Sequence, residues 1–337
     1  MRRKSSPVSL ILVGLGTFLL VLAPMLAWYV EPRAAVNPID IDTTAVYKGT
    51  GSVFDLDKAE TVPGQDITVT QVVRGDVADS ERSGRAVWDV TTTVDTNASL
   101  PAADPHDALE FMPAADPHDA LEFMPGRWVT DRRSNEPVHC CREHPYYEGD
   151  AYLKFPFDVR RHDYRWWDNS LGAPVTLHYR GTKKIHGYRG YRFTGSVPAT
   201  RTGTRQVPGA LVGQPRRSQV LAEEWYANHL VELVVDQRTG RVIYAQVGPR
   251  RTLRAPGGTK DAAVLLDSRK LAFTAATQRD QVEQARTESG QLRLLGTTLP
   301  IGAGLLGFLL AVAGAVLLVR GRRDPGSSAS PPPTLTM

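Results

Sequence analysis

The sequence predicts an α+β protein that is mainly β, with one antiparallel sheet domain held between two transmembrane helices. Two uncharged apolar runs lie near the ends of the 337-residue chain. Between them, apolar and aromatic residues alternate with polar ones in short segments separated by Gly, Pro and Asn. The helical patterns that parallel βαβ units require are absent between these segments, so the strands are predicted to pair antiparallel.

Both apolar runs are long enough to cross a bilayer. Val8–Val30 has 23 residues and Leu299–Val319 has 21, whereas the hydrocarbon core requires roughly 20. The first run exceeds the apolar core of about 7–15 residues in a cleaved signal peptide, and no small-residue cleavage site follows it. We therefore interpret residues 8–30 as an uncleaved signal anchor. Arginines directly after the second run argue against a buried core helix.

The charged flanks predict the topology. Residues 2–4 are Arg, Arg and Lys, and three arginines lie within 320–323; basic residues close to a span stay on the cytoplasmic side. We predict a plasma-membrane protein with cytoplasmic tails at 1–7 and 320–337, the latter disordered, and with residues 31–298 outside the cytoplasm. The tails carry +3 and +2 of a net charge of +4. The outer part is thus near −1, and nucleic acid is not an expected partner.

Alternating stripes place the β-rich domain at residues 31–268. Each stripe is expected to be a strand with its apolar side chains on one face. The stripes are Trp88–Val94, Leu153–Val159, Val175–Tyr179, Tyr191–Val197, Val231–Val235 and the pair Val242 and Tyr244.

Two segments share one turn pattern. Residues 128–138 and 233–243 each run from an apolar strand through Asp, a short turn and Asn or Gly into a second apolar stretch. Asp accepts local backbone hydrogen bonds, and Gly or Asn tolerates positive φ, as hairpin turns require. The second segment resembles the hairpin of lipoprotein-carrier proteins. That resemblance implies a curved antiparallel half-barrel over an apolar cavity.

After the β domain the pattern becomes helical. Apolar residues recur at helical spacings between Ala275 and Leu295. Thr277 followed by Asp280 predicts an N-terminal cap. We therefore predict a stalk helix over 269–298 that leads into the second span at 299–319.

A perfect tandem repeat interrupts the β domain. PAADPHDALEFM at 101–112 recurs unchanged at 113–124. Solenoid repeats diverge and number at least three, so we interpret the doublet as a duplication in an exposed loop or helix start. Added chain costs little loop-closure free energy there.

The chain lacks the usual catalytic motifs: Gly-x-Ser-x-Gly, a phosphate-binding loop, His-Glu-x-x-His and Cys-x-x-Cys are all absent. Cys140 and Cys141 are neighbours, about 3.8 Å apart at Cα, so a bridge between them would be a strained ring. With His139 and His144 they lie too close in sequence to converge on one tetrahedral ion. We predict no catalytic, cofactor-binding or metal-binding residues, no cofactor and no enzyme activity.

Aromatic residues concentrate at 146–193, which holds 12 of the chain's 26 (11 Tyr, 9 Phe and 6 Trp). Aromatics at alternate positions fill the cores of sheets. The same rings and phenol hydroxyls would also line a groove for a lipid or a glycan. Both interpretations remain open.

Several segments resemble one family. They are the N-terminal anchor, KFPFDVRRHDYRWWDNSLG at 154–172, YRFTGSVPATRTGTRQVPG at 191–209, AEEWY at 222–226 and LRAPGGTKDAAVLLD at 253–267. Together they resemble the actinobacterial envelope proteins of the porin PorA family over nearly all of 8–319. The resemblance implies a pore, yet two helices without a polar stripe cannot enclose one within a single chain.

We expect a non-enzymatic envelope protein that sits in the lipid bilayer and whose outer domain binds an envelope component such as a lipid or a glycan. Two alternatives stay open: a subunit of an oligomeric porin-like channel, and an envelope hydrolase. The sequence does not identify a protein partner.

The topology is directly testable. Because both basic flanks lie on the same side, a reporter that is active only in the cytoplasm should work when fused at either terminus and fail when inserted near residue 200. Reporter activity measured at residue 200 would contradict the predicted orientation.

Overall fold

The computed structural model describes residues 7–55, 58–99 and 120–323, which divide into two compact units. One unit comprises the residues up to Ala35 together with those from Gly290 onward. The other runs from Val36 to Ser289.

The first unit consists of helices. They are α1 at Pro7–Met25, a π-helical turn at Leu26–Val30, α2 at Glu31–Ala34, a second π-helical turn at Leu294–Thr298, and α5 at Leu299–Arg323. Within the part of the chain that the structure describes, two helical stretches are long and apolar enough to cross a membrane, Pro7–Ala34 and Ala275–Arg320. The predicted spans at 8–30 and 299–319 fall within them.

Small residues form the contact between α1 and α5. At intervals of seven, the buried positions are Ser9, Gly16 and Ala23 on α1 and Pro300, Gly307 and Gly314 on α5. A Cβ atom placed on Gly16 would lie 2.5 Å from the backbone nitrogen of Ala311 and 2.7 Å from the carbonyl oxygen of Gly307. The two backbones therefore touch, which only small side chains permit. We call this contact the small-residue seam.

The second unit is built on one antiparallel sheet, which confirms the predicted class. In sheet order the strands run β4-β3-β2-β1-β10-β9-β8-β7-β6-β5, and β11 pairs with both β1 and β9. The strands are β1 Asp42–Asp55, β2 Glu60–Gly75, β3 Ala86–Thr96, β4 Glu122–Thr130, β5 Tyr164–Asp168, β6 Ala173–Ile185, β7 Tyr188–Pro208, β8 Gln219–Val235, β9 Val242–Arg254, β10 Ala263–Asp267 and β11 Leu271–Phe273. Helix α3 spans Val77–Ser83, a 3₁₀ turn spans Gly209–Val212, and α4 spans Ala275–Arg293.

Strands far apart in this order touch each other. Glu122 at the start of β4 forms an ion pair with Arg251 of β9. The Asn169 amide, just after β5, lies 3.7 Å from the sulfur of Met124 in β4. Since β4 and β5 occupy opposite ends of the strand order, one face of the sheet is turned toward itself.

The predicted strand over Leu153–Val159 is wrong. Leu153 and Asp158 have φ values of 54° and 52°, which an extended pleat excludes. The segment is irregular and is attached by its backbone to the turn before β9, where the Phe155 N–H donates to the Gly240 carbonyl at 2.8 Å.

The pair Val242 and Tyr244 does not share one face, because β9 contains an irregularity at this point. Val235 pairs with Val242 while Val234 pairs with Tyr244, so one extra residue, Ile243, is inserted. Such an insertion reverses the alternation on the bulged strand. Tyr244 consequently packs in the cluster that includes helix α4.

The segment predicted as a stalk helix at 269–298 has a different layout. It contains β11, and α4 begins only at Ala275. The cap is Thr274, whose hydroxyl accepts the Thr277 N–H at 3.2 Å, whereas the Thr277 hydroxyl accepts the N–H of Val46 in β1. Val282 and the neighbouring apolar turn are buried against the sheet.

Both predicted hairpin turns have the expected chemistry. The side chains of Asp131 and Asp236 each accept a hydrogen bond from the N–H three residues later, at 3.0 and 2.8 Å. Asn135 and Gly240 take positive φ values of 59° and 75°. A Cβ on Gly240 would overlap the carbonyl oxygen of Phe155. Glycine is therefore required at this position for two reasons, the positive φ and the lack of room for a side chain.

Gly240 and Gly213 separate these two requirements. Both have positive φ, but nothing lies within 4 Å of a Cβ built on Gly213. We expect Gly213→Ala to lower the free energy of unfolding by about 1 kcal/mol from backbone strain alone. Gly240→Ala adds the steric overlap and should cost at least about 3 kcal/mol. Urea denaturation of the full-length chain in mild detergent measures both; equal losses would contradict the close approach.

The tandem repeat lies largely outside the described residues, because 101–119 are not among them. Its last residues, Glu122–Met124, begin strand β4. Deleting 113–124 leaves the identical Glu-Phe-Met of the first copy in front of Pro125, so β4 keeps its sequence. We expect the free energy of unfolding to change by less than about 1 kcal/mol. A loss above about 3 kcal/mol in the same denaturation measurement would show that the repeat packs into the core.

Candidate functional site

A cavity of 210 Å³ lies against one face of the sheet, which we call the inner face. Nine strands contribute to its wall; β6 and β7 do not. Apolar side chains make up most of the lining and include Tyr47, Val69, Val90, Met124, Trp166, Val247 and Phe273. Val69 and Val247 are only half-buried although they point inward. The inner face is therefore not filled by its own side chains.

The pleat explains which residues reach this cavity. Along β3, the lining residues are Val90, Thr92 and Val94, and along β2 they are Val69 and Gln71. Successive side chains of a strand point to opposite faces, so these alternate positions all belong to the inner face. The stripe predicted over Trp88–Val94 is thus the wall of a cavity.

Polar residues gather where β5 and β8 approach the cavity. The Tyr226 hydroxyl donates to Asp168 at 2.9 Å, and the Asn228 amide donates to the Tyr226 hydroxyl at 3.1 Å. Backbone N–H groups of Ser170 and Leu171 also donate to Asp168, each at 3.0 Å. Burial raises the pKa of Asp168, and burial beside this carboxylate raises the pKa of Tyr226 well above its ordinary value. The network is satisfied internally and gives the wall one polar patch.

A second cavity of 100 Å³ adjoins the first. The two share Gln71, Leu153, Val242 and Phe273 as lining residues. On β3 the wall continues from Val90 to Trp88, two residues along the same face. The cavities are therefore consecutive along the strands and form one track on the inner face.

The second cavity contains charged side chains. Lys154 lines it together with Arg241 and Glu288. Arg241 forms an ion pair with Glu288 and donates to Gln281 at 3.0 Å. The Lys154 ammonium donates to the Asn37 side-chain oxygen at 2.6 Å and lies 3.9 Å from the centre of the Phe157 ring. Removal from bulk water lowers the pKa of Lys154 to about 7.

The aromatic cluster divides between core and cavity. Most of its rings are in the core, and Phe155, Phe193, Tyr147 and Tyr152 are fully buried. Phe155 stacks on Phe193 with ring centres 5.0 Å apart, and neither ring lines either of these two cavities. Trp166 and Trp167 line the larger cavity. The core interpretation therefore holds for most of the cluster, and Trp166 and Trp167 belong to the wall of a cavity.

The loop that follows β4 brings together the His and Cys residues considered for a metal. Cys140 and Cys141 form a vicinal disulfide. The His139 ring stacks on Tyr146 at 4.0 Å and contacts Glu143 at 2.8 Å. Within residues 7–55, 58–99 and 120–323, no three His, Cys, Asp or Glu side chains are grouped so that they could hold a metal ion.

Sequence reasoning missed the charged end of the track. Lys154 was assigned only to a strand pattern, and Asn37 to no element. The signal was present in the isolated Lys between Leu153 and Phe155, because a lysine in an apolar run requires a partner or a ligand when it is buried. The wall residues on β9 and β11 were equally hidden, since they depend on the bulge at Ile243 and on a three-residue strand.

One comparison with known proteins identifies the family. The family model for Porin PorA matches residues 8–316, which includes most of both apolar helices and the whole sheet. No curated protein matches the chain. The match covers most of the sequence, and the two apolar helices fit an envelope protein of the membrane. The chain therefore belongs to the porin PorA family.

Proposed function

We propose that this envelope protein binds the apolar chain of a lipid in the track on the inner face of its sheet. In this proposal the sheet acts as a curved half-barrel, residues 31–298 lie outside the cytoplasm, and both termini are cytoplasmic. The role is binding without catalysis. The observation that carries the proposal is an unfilled apolar inner face within a sheet that also has a packed core elsewhere.

The size of the cavity supports an organic occupant. An apolar cavity of about 150 Å³ accommodates benzene, and the larger cavity here measures 210 Å³. Pockets for small molecules are mainly apolar with a few polar groups that fix orientation. The Asp168 patch and the charged second cavity supply such groups at different places along the track.

The shape of the track supports a chain rather than a compact ligand. From Trp88 to Val94 the wall runs over six residue steps of β3, which is about 20 Å at the rise of a strand. A flexible, unbranched apolar chain fits a long track that is narrow and lined by Val, Leu and aromatic side chains.

The family favours a second candidate, a subunit of an oligomeric channel. Single-channel recordings of the purified full-length protein in planar bilayers distinguish the candidates. Stepwise conductance from the protein, with none from an inactive control preparation, would favour the channel. A lipid-binding protein should produce none.

Photolabelling tests the binding proposal directly. The full-length chain in bilayer vesicles is exposed to a fatty acid with a photoactivatable group on its terminal carbon. We expect labelled peptides from the inner-face strands β2, β3 and β9, identified by mass spectrometry. Labelling confined to the apolar helices, which any bilayer probe can reach, would contradict the proposal.

A pair of valines on β2 supplies the control. Val69→Trp places a large ring into the cavity and should reduce inner-face labelling at least about tenfold, since the ring displaces the chain. Val72→Trp carries the same change on the opposite face of the same strand and should leave the labelling unchanged. Circular dichroism confirms that both variants keep the sheet.

A further inference from the structure

We infer that the second cavity is a head-group site, and that the ligand of the track is a single-chain amphiphile with one negative charge, bound at Lys154. This inference rests on the proposed function, since it places the polar end of the ligand that the track holds. The chain would extend from Lys154 past Val90 toward Val94, along the register of β3.

Lys154 forms no ion pair with a carboxylate among the described residues of the chain. Its ammonium has three N–H donors. One reaches Asn37, and the Phe157 ring lies against the ammonium. The direct partners of the ammonium are thus a neutral amide and an aromatic face, and Glu288 and Asp236 favour its charged form only from a longer distance. An anionic ligand would supply a negatively charged hydrogen-bond acceptor next to the ammonium.

The other charged side chains of the second cavity pair with each other. Glu288 is occupied by Arg241 through two contacts, one of them at 3.2 Å. The charged groups that line the second cavity are thus Lys154, Arg241 and Glu288, with a sum of +1 when all are ionised. One further carboxylate, Asp236, acts on Lys154 from a distance but does not line the cavity.

The oxygens of Asp236 are already used. They accept hydrogen bonds from Tyr188 and Ser289, each at 2.6 Å, and from the N–H and hydroxyl of Thr239 at 2.8 and 2.7 Å. A carboxylate with four donors has little capacity for Lys154. A ligand with one negative charge therefore matches the excess of the lining groups.

The position of Lys154 is fixed before any ligand arrives. Its carbonyl accepts the Asn135 amide, and Asn135 also accepts the Asn37 amide at 2.8 Å. Asn37 and Asn135 are both fully buried. The residues around the ammonium therefore need no rearrangement, which lowers the ordering cost of binding.

Two probes with the same chain, one with an anionic head group and one with a neutral head group, test the inference. The full-length chain in bilayer vesicles is labelled with the photoactivatable fatty acid and, separately, with the fatty alcohol of the same length and the same terminal photoactivatable group. Hydrogen bonds to a charged group are worth about 1.5–3 kcal/mol. We therefore expect the acid to reach a given level of inner-face labelling at a concentration at least about tenfold lower than the alcohol. A tenfold difference corresponds to ~1.4 kcal/mol.

Three variants assign the preference. Lys154→Met keeps the length of the side chain and should bring acid and alcohol to within about twofold. Lys154→Arg keeps the charge and should retain the preference. Lys184→Met removes an exposed lysine on β6 and should change nothing.

Each outcome has one meaning. Equal labelling by acid and alcohol in the wild type, or a preference that survives Lys154→Met, would overturn the head-group site while leaving the apolar track in place. Absence of inner-face labelling by both probes would instead refute the proposed function. A photoactivatable lysophosphatidylglycerol, whose phosphodiester carries a single negative charge, used beside the fatty acid tells whether a phosphate or a carboxylate head is preferred.

Discussion

The two-residue period of the pleat is the constraint on which the β unit depends. Every strand must place alternate side chains on the inner face, and antiparallel pairing carries this alternation across the sheet. Where the inner face meets the irregular segment 151–163 and the long strands β7 and β8, aromatic rings such as Phe155 and Phe193 fill the space. Where it meets β2 and β3, Val and Thr are too small to do so.

Charge pairing secures the sheet where it turns toward itself. The ion pair of Glu122 with Arg251 joins β4 to β9, strands that are not neighbours in the order. Arg127, further along β4, binds the carboxylates of Asp76, Asp79 and Asp89 and the Cys141 carbonyl. These contacts hold β4 to α3 and to the loop that carries the vicinal disulfide. These polar contacts of Glu122 and Arg127 thus position β4, which forms part of the cavity wall.

Much of this architecture could be predicted from sequence. The apolar runs, the antiparallel class and the Asp turns at 131 and 236 all follow from local patterns, because each depends on residues close together in the chain. The errors occurred where a single residue changes the backbone path. Positive φ at Leu153 and Asp158 removed an expected strand, and one inserted residue at Ile243 reversed a stripe. A hydrophobicity pattern contains no information on either event.

The candidate site was harder to predict for a related reason. Its wall draws on nine strands, and its charged end joins Asn37 to Lys154 across more than a hundred residues. Alternation indicates which side chains face inward, but it does not reveal whether the opposing face is near enough to touch them. Whether an inward stripe is core or cavity is set by the curvature of the sheet, which bulges and distant ion pairs decide.

The small-residue seam has a consequence for assembly. Gly16, Gly307 and Gly314 are covered by the backbone of the partner helix in the same chain, so these surfaces are not available to a second copy. The outward sides of the helices carry bulky groups such as Phe18 and Phe308 as well as the open Gly14 and Gly302. The seam thus belongs to the fold of a single chain, and a second copy could meet these helices only on their other faces.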